Sequence, residues 1–390
     1  MPRKLIWLYI LSISVYFAQG IEGITGLPLF AYLKETCNLS PQKIMYISSI
    51  VTLPWLIKPV LGLFIDRYST PKVWIIVSLL GSIVVSLIFG LWYSLSIIMI
   101  IGFATLGSYF TSIRDISNDG LACIEGKKSN TCDVFQNCQW TAITIAGIIT
   151  SLGGGFIAQY FNYKLAYLSL LPIYTIIIFI ISRYKPEPKY RTSVPGYRTF
   201  IGHIASYKEL FTNKPFMLGC LFIFLFNFNP SFGTPLSFIE RDSFKWSWSF
   251  IGIIGAIASS ISIVGSVIYY KFSKRIKIQK VLYWSVFMGA ITTLCYLYFS
   301  PISAIVYSCL FSIVGMFIFL NFMTYMAKST IKGKEVTSFA LLCSINNLAA
   351  TMSHVSGAFL FPIVGLKVLI IISAGTSFLC LPLIKYLKEV

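Results

Sequence analysis

The chain has 390 residues, 56% of them hydrophobic and 11% charged, with 32 Phe and 23 Tyr; that much apolar surface cannot be hidden in a water-soluble fold, so lipid must solvate most side chains. The formal net charge of +18 rests on Lys and Arg gathered in short polar gaps between apolar runs, the pattern that meets an anionic inner leaflet rather than a nucleic acid. The partner expected throughout is therefore the lipid bilayer, and nucleic-acid binding is excluded.

The sequence opens Met1-Pro2-Arg3-Lys4 before an apolar stretch that runs to about Leu33, too long for the core of a signal peptide. It is read as a retained first span. Cutting the chain wherever polar residues and turn formers interrupt runs of about 20 apolar residues predicts twelve transmembrane helices, near 5–32, 42–65, 73–93, 95–121, 134–160, 163–183, 215–241, 247–272, 279–299, 301–328, 335–362 and 366–387. Basic residues alternate cleanly between the gaps. One side holds Arg3 and Lys4, Arg67 and Lys72, Lys127 and Lys128, the 184–214 stretch, Lys271 to Lys280, Lys328 to Lys334, and Lys385 with Lys388, whereas the opposite gaps hold few charges. Positively charged loops stay cytoplasmic, which places both termini in the cytosol.

The predicted organisation is an all-α membrane protein of two six-helix bundles, 1–183 and 215–390, joined by a cytoplasmic connector over 184–214. Prolines in Lys185-Pro186-Glu187-Pro188-Lys189 forbid a continuous helix there, and an interfacial helix is predicted over 199–211. Matching spans of the two halves carry matching irregularities: Gly20, Gly23, Gly26 and Pro28 in the first, and Asn227-Phe228-Asn229-Pro230 with Gly233-Thr234-Pro235 in the seventh. Paired, interrupted helices are the sequence pointer to a central binding site in a carrier.

Ionisable residues inside the predicted spans are few: Glu22, Lys58, Arg114, Asp115 and Asp119. A charge in hydrocarbon costs several kcal/mol, so such residues mark a solute or ion path. Asp115 and Asp119 are four apart and share a helical face, an arrangement suited to binding a proton. The competing reading is that these charges pair with one another and latch a gate. The same gating role is expected of Asp66, Arg67, Lys72 and Glu125, which fall at cytoplasmic span ends.

The nine cysteines show no C-x-x-C spacing and most lie in apolar segments, so neither a disulfide framework nor a metal site is expected. No nucleophile motif, phosphate loop or metal-ligand cluster suggests an enzyme or a cofactor. Trp7, Trp246 and Trp248 near span ends are read as interfacial anchors. Gly147 and Gly153 to Gly155 are read as small residues that let helices approach closely.

Several motifs, in order and at matching spacing, resemble the folate-biopterin transporters of the major facilitator superfamily. Tyr16-Phe17-Ala18-Gln19-Gly20 is similar to that family's first span, and Leu53-Pro54-Trp55-Leu56-Ile57-Lys58-Pro59 with Gly62 and Asp66 to its second. Asp115, Asp119 and Glu125 resemble its D-x3-D-x5-E pattern, Gln136 and Trp140 its Q-x3-W pair. Asn227-Phe228-Asn229-Pro230-Ser231 resembles its seventh span, and Thr337 to Leu342 with Ser344-Ile345-Asn346-Asn347-Leu348 its eleventh.

The resemblance implies a secondary active transporter of folate, biopterin or a related pterin anion, probing alternate sides of the membrane, with protons as coupling ion and a monomeric state. A related carrier for another solute such as muropeptides is the alternative, because those permeases share the Leu-Pro-x-x-x-Lys motif. On the folate reading, Lys58 and Arg114 bind substrate carboxylate, and Glu22, Asp115 and Asp119 serve proton coupling or hold the cations. Gln19, Trp55, Gln136, Trp140, Asn227, Asn229, Asn346 and Asn347 offer stacking faces and hydrogen bonds to a flat heterocycle. The plainer alternative for Asn227 and Asn229 is that they satisfy backbone freed by Pro230 and Pro235.

Overall fold

A computed structural model describes residues 3–129, 132–184, 210–273, 277–331 and 335–387. Most of the connector, including 199–209 of the predicted interfacial helix, lies outside these residues. Among the described residues every regular element is helical, and ten helices are long and apolar enough to cross a membrane. In hydrocarbon each backbone N–H and C=O must find a partner within the chain, which a helix supplies locally.

The first span comprises α1 (Arg3–Ile21), a tightened turn (Glu22–Thr25) and α2 (Gly26–Ala31). The second is also broken, into α3 (Pro41–Val51), a turn at Leu53–Trp55 and α4 (Lys58–Tyr68). The sequence reading took it as one helix. Pro54 and Pro59 each remove an amide donor and crowd the carbonyl four residues back, so the helix is interrupted and Lys58 falls where α4 begins. Next come α5 (Pro71–Leu91), α6 (Ile97–Ser129), α7 (Cys132–Tyr160), and the sixth span as α8 (Tyr163–Leu168) with α9 (Leu170–Arg183).

The seventh span divides into α10 (Lys214–Asn227) and α11 (Gly233–Asp242) at its Asn and Pro cluster. It is followed by α12 (Trp248–Ser273), α13 (Ile278–Cys295) and α14 (Pro301–Lys328), the last started by a Ser300/Ser303 capping box with Pro301 in its first turn. The predicted eleventh and twelfth spans run together as α15 (Glu335–Ser377), ending in α16 (Leu381–Ile384). At Gly365 the backbone leaves the helix with φ 72°, a conformation that glycine alone adopts cheaply, and this marks the junction between them. The split seventh span and the joined last pair account for ten long apolar helices where twelve spans were expected.

The helices gather into two compact units. The first comprises Met1–Thr36, Val51–His203 and Trp248–Ala256. Its core sets Leu8, Leu11, Val15 and Ala18 of α1 against Ile75 and Leu79 of α5, Phe135, Ala142 and Ala146 of α7, and Tyr174, Ile177 and Ile181 of α9. Within it Gly155 of α7 meets Gly252 of α12 so closely that a Cβ on Gly155 would lie 2.8 Å from the Gly252 Cα. Trp248 is 1% exposed here, donates its indole N–H to Glu35 Oε1 at 3.1 Å and packs edge-on against Phe30. That corrects its reading as an interfacial anchor: hydropathy puts a Trp at a span end but does not distinguish a lipid boundary from a protein socket.

The second unit comprises Cys37–Ile50, Ile204–Ser247 and Ile257–Val390. Its core joins Phe216, Phe222 and Ile223 of α10 to Leu282 and Val286 of α13, Phe322 and Tyr325 of α14 and Leu342 of α15. Large apolar side chains such as Leu91, Ile98, Phe179, Ile302 and Ile363 remain exposed, as a lipid-facing surface requires.

Candidate substrate and proton site

In the first unit, α1 and α6 run antiparallel along a polar seam. Ser12, Tyr16 and Gln19 of α1 and Glu22 of the turn that follows recur every three or four residues, so they form one stripe about 15 Å long on the first span. Opposite them on α6 stand Thr111, Arg114, Asp115, Asn118 and Asp119, again at helical spacing. All five intramembrane charges predicted from the sequence converge on this seam or on the α4 start beside it.

Glu22 and Arg114 pair at its deep end, with Arg114 Nη2 2.5 Å from Glu22 Oε1. The same carboxylate accepts the Tyr174 hydroxyl at 2.7 Å and the Thr111 hydroxyl at 2.9 Å. Arg114 is wholly buried, reaches Ser82 Oγ through Nη1 at 3.4 Å and lies 5.9 Å from the Tyr174 ring centroid. Such a network holds α1, α6 and α9 together, and removing one member would leave a desolvated charge, at about 3–5 kcal/mol.

Lys58 and Asp115 form the second pair, with Nζ 2.5 Å from Oδ2 and side chains 12% and 6% exposed. The Lys58 ammonium stands 4.3 Å from the Trp55 ring centroid, and the Trp55 indole donates to Ser108 Oγ at 2.9 Å, which fixes the ring. Unlike Arg114, Lys58 keeps a small accessible surface. Asp119, the third carboxylate, accepts the Tyr16 hydroxyl at 2.7 Å. Trp140 packs edge-on against Tyr16 with centroids 6.3 Å apart.

Three carboxylates, Glu22, Asp115 and Asp119, therefore face two cations, Lys58 and Arg114, among the described side chains of this seam. One negative charge is left without a counter-charge. In a medium of low dielectric that excess favours the arrival of a proton or a second cation.

Other predicted site residues are placed differently. Gln19 is half-buried on the α1 stripe, and its Oε1 has no hydrogen-bond partner among the described residues. The side chains of Gln136, Asp66, Arg67 and Glu125 lie outside those described. Lys72 donates to the carbonyls of Ser182 and Tyr184 at 3.1 and 2.6 Å, closing the C-terminal end of α9 where a cation meets the helix dipole.

In the second unit, Asn227 donates to the Ile223 carbonyl of its own helix at 3.0 Å. Asn229 is a hub: its Nδ2 donates to Phe226 O, its Oδ1 accepts hydroxyls from Thr376 and Ser377 at 3.0 Å each, and its backbone carbonyl accepts the Ser353 hydroxyl. Ser231 N completes the brace by donating to Ser353 O at 3.0 Å. These bonds satisfy the interrupted backbone between α10 and α11. Asn346 and Asn347 lie half-buried on α15.

Tyr174 and Thr111 join the seam without having been singled out in the sequence, Tyr16 appeared there only within a motif, and Ser12 and Gln139 pack against each other beside it. The recurrence of Ser12, Tyr16, Gln19 and Glu22 on one face of an apolar helix was the available signal.

A model of the BT1 family matches residues 19–389. A folate-biopterin transporter of Synechocystis is 25% identical over 418 residues, covering 96% of this chain and 81% of that protein. Folate transporter 1 of Plasmodium falciparum is 22% identical, covering 88% of this chain and 70% of its own. Among solved structures, a D-xylose-proton symporter superposes with a TM-score of 0.78 at 10% identity, covering 99% of this chain and 98% of that one. The fold is that of the major facilitator superfamily.

Proposed function

The chain belongs to the BT1 family and is a multi-pass membrane transporter, and from that premise we propose that it carries folate, biopterin or a related pterin anion across the membrane by alternating access, coupled to protons. The observation that carries the reading is the Lys58–Asp115 pair, an intramembrane ion pair with residual accessibility beside an anchored indole. A substrate carboxylate has the same charge and geometry as that of Asp115, so it can take over Lys58 without leaving the ammonium unpaired. Trp55 then offers a ring face to a flat heterocycle.

Displacement of Asp115 adds a second uncompensated negative charge to a seam that already holds one. Protonation of the seam offsets this cost, and by linkage the anion and the proton each favour the other's binding. Asp119, whose one hydrogen bond among the described residues comes from the Tyr16 hydroxyl, is the carboxylate we assign to carry that proton. Arg114 is wholly buried and engaged by Glu22 and Ser82, which supports a positioning role and leaves Lys58 as the substrate-facing cation. The names of the Synechocystis and Plasmodium relatives support the folate class.

Uptake of radiolabelled folate by proteoliposomes tests the substrate class. Saturable uptake that excess biopterin suppresses is expected. Uptake of a labelled muropeptide with no effect of folate or biopterin would overturn the assignment.

A further inference from the structure

Three side chains from three helices meet beside Asp119: Ser12 of α1, Asn118 of α6 and Gln139 of α7, which are 1%, 0% and 0% exposed. Gln139 Nε2 donates to Ser12 Oγ at 3.0 Å, and the Ser12 hydroxyl donates to Asn118 Oδ1 at 3.2 Å. Each amide spends one end on the same serine oxygen. The other ends, the donor Asn118 Nδ2 and the acceptor Gln139 Oε1, have no hydrogen-bond partner among the described residues. Turning both amides over exchanges these roles and still leaves one donor and one acceptor, whereas turning only one over mismatches the Ser12 hydroxyl.

A ligand at this point must accept one hydrogen bond and donate another. The amide N–H repels a cation and the amide carbonyl repels an anion, but a water molecule meets both demands and can also donate to Ser12 Oγ. We propose that a water molecule is bound between Asn118 and Gln139 and that it forms a step of a proton route to Asp119. Its position fits that step: Ser12 lies one helical turn before Tyr16, Asn118 immediately precedes Asp119, and Tyr16 donates to Asp119 at 2.7 Å. The bound water stands on the geometry of the amides; its role as a relay rests on the proton-coupled reading above.

Two measurements separate these parts. A cryo-EM map of the full chain in lipid nanodiscs, at a resolution that shows ordered solvent, is expected to hold density within hydrogen-bond distance of both amides, and a dry site there overturns the water. The double variant Asn118→Leu with Gln139→Leu removes donor and acceptor together. It is expected to lose at least tenfold in folate uptake driven by a pH gradient while folate–folate exchange stays within twofold. A folded variant that keeps its gradient-driven uptake overturns the relay. If the wild-type protein itself ignores the gradient, the proton-coupled reading fails, and the map alone decides the water.

Discussion

Replacing Lys58 by Gln, alone and together with Asp115→Asn, separates substrate recognition from simple charge pairing. The two groups lie 2.5 Å apart with side chains 12% and 6% exposed, so Lys58→Gln alone strands a desolvated carboxylate, at about 3–5 kcal/mol. The single variant should therefore melt several degrees lower. Adding Asp115→Asn substitutes a neutral amide pair, which should recover most of that stability. It should not recover the substrate. A hydrogen bond to a charged group contributes about 1.5–3 kcal/mol, so both variants should bind folate about 10- to 150-fold more weakly. Equilibrium binding of radiolabelled folate to purified protein, read beside thermal melts, supplies both numbers. A double variant that binds and concentrates folate as the wild type does would refute the reasoning, because the pair would then be only a latch.

Three further outcomes are expected. Asp119→Asn fixes that site as neutral, so a pH gradient should no longer stimulate uptake while exchange continues; persistent stimulation would remove Asp119 from the proton path. Arg114→Met should cost about 3–5 kcal/mol by isolating Glu22, and Glu22→Gln with Arg114→Met should return thermal stability close to that of the wild type and keep folate binding within a few-fold. Loss of folate binding in that stable double variant would make Arg114 a ligand. Trp248→Ala should destabilise the protein by about 3–5 kcal/mol because it empties a buried socket and removes the indole donor to Glu35; a neutral result in thermal melts would restore the interfacial reading.

Span positions were legible in the sequence because hydrocarbon imposes one rule on every residue it surrounds, and the seventh-span break was announced by Asn227 to Pro235. The second-span break was written there too, in Pro54 and Pro59, but a hydropathy window averages over it. Helical spacing correctly put Asp115 and Asp119 close together. It did not disclose that Asp115 turns to Lys58 and Asp119 to Tyr16, because those partners lie 57 and 103 residues away. Arg114 was assigned to the substrate from its charge, which is visible in sequence, whereas the Glu22, Ser82 and Tyr174 groups that enclose it come from three separate spans and support the positioning role proposed above. Asn229 carried the same ambiguity, and its ties to Thr376 and Ser377 weigh toward the structural role.

Accumulation of radiolabelled folate in proteoliposomes, with the internal and external pH set independently, tests the coupling of anion to proton most directly. The account predicts that folate is concentrated above its equilibrium level only while the gradient stands, and that a protonophore abolishes the accumulation. Equal accumulation with and without the gradient would contradict it.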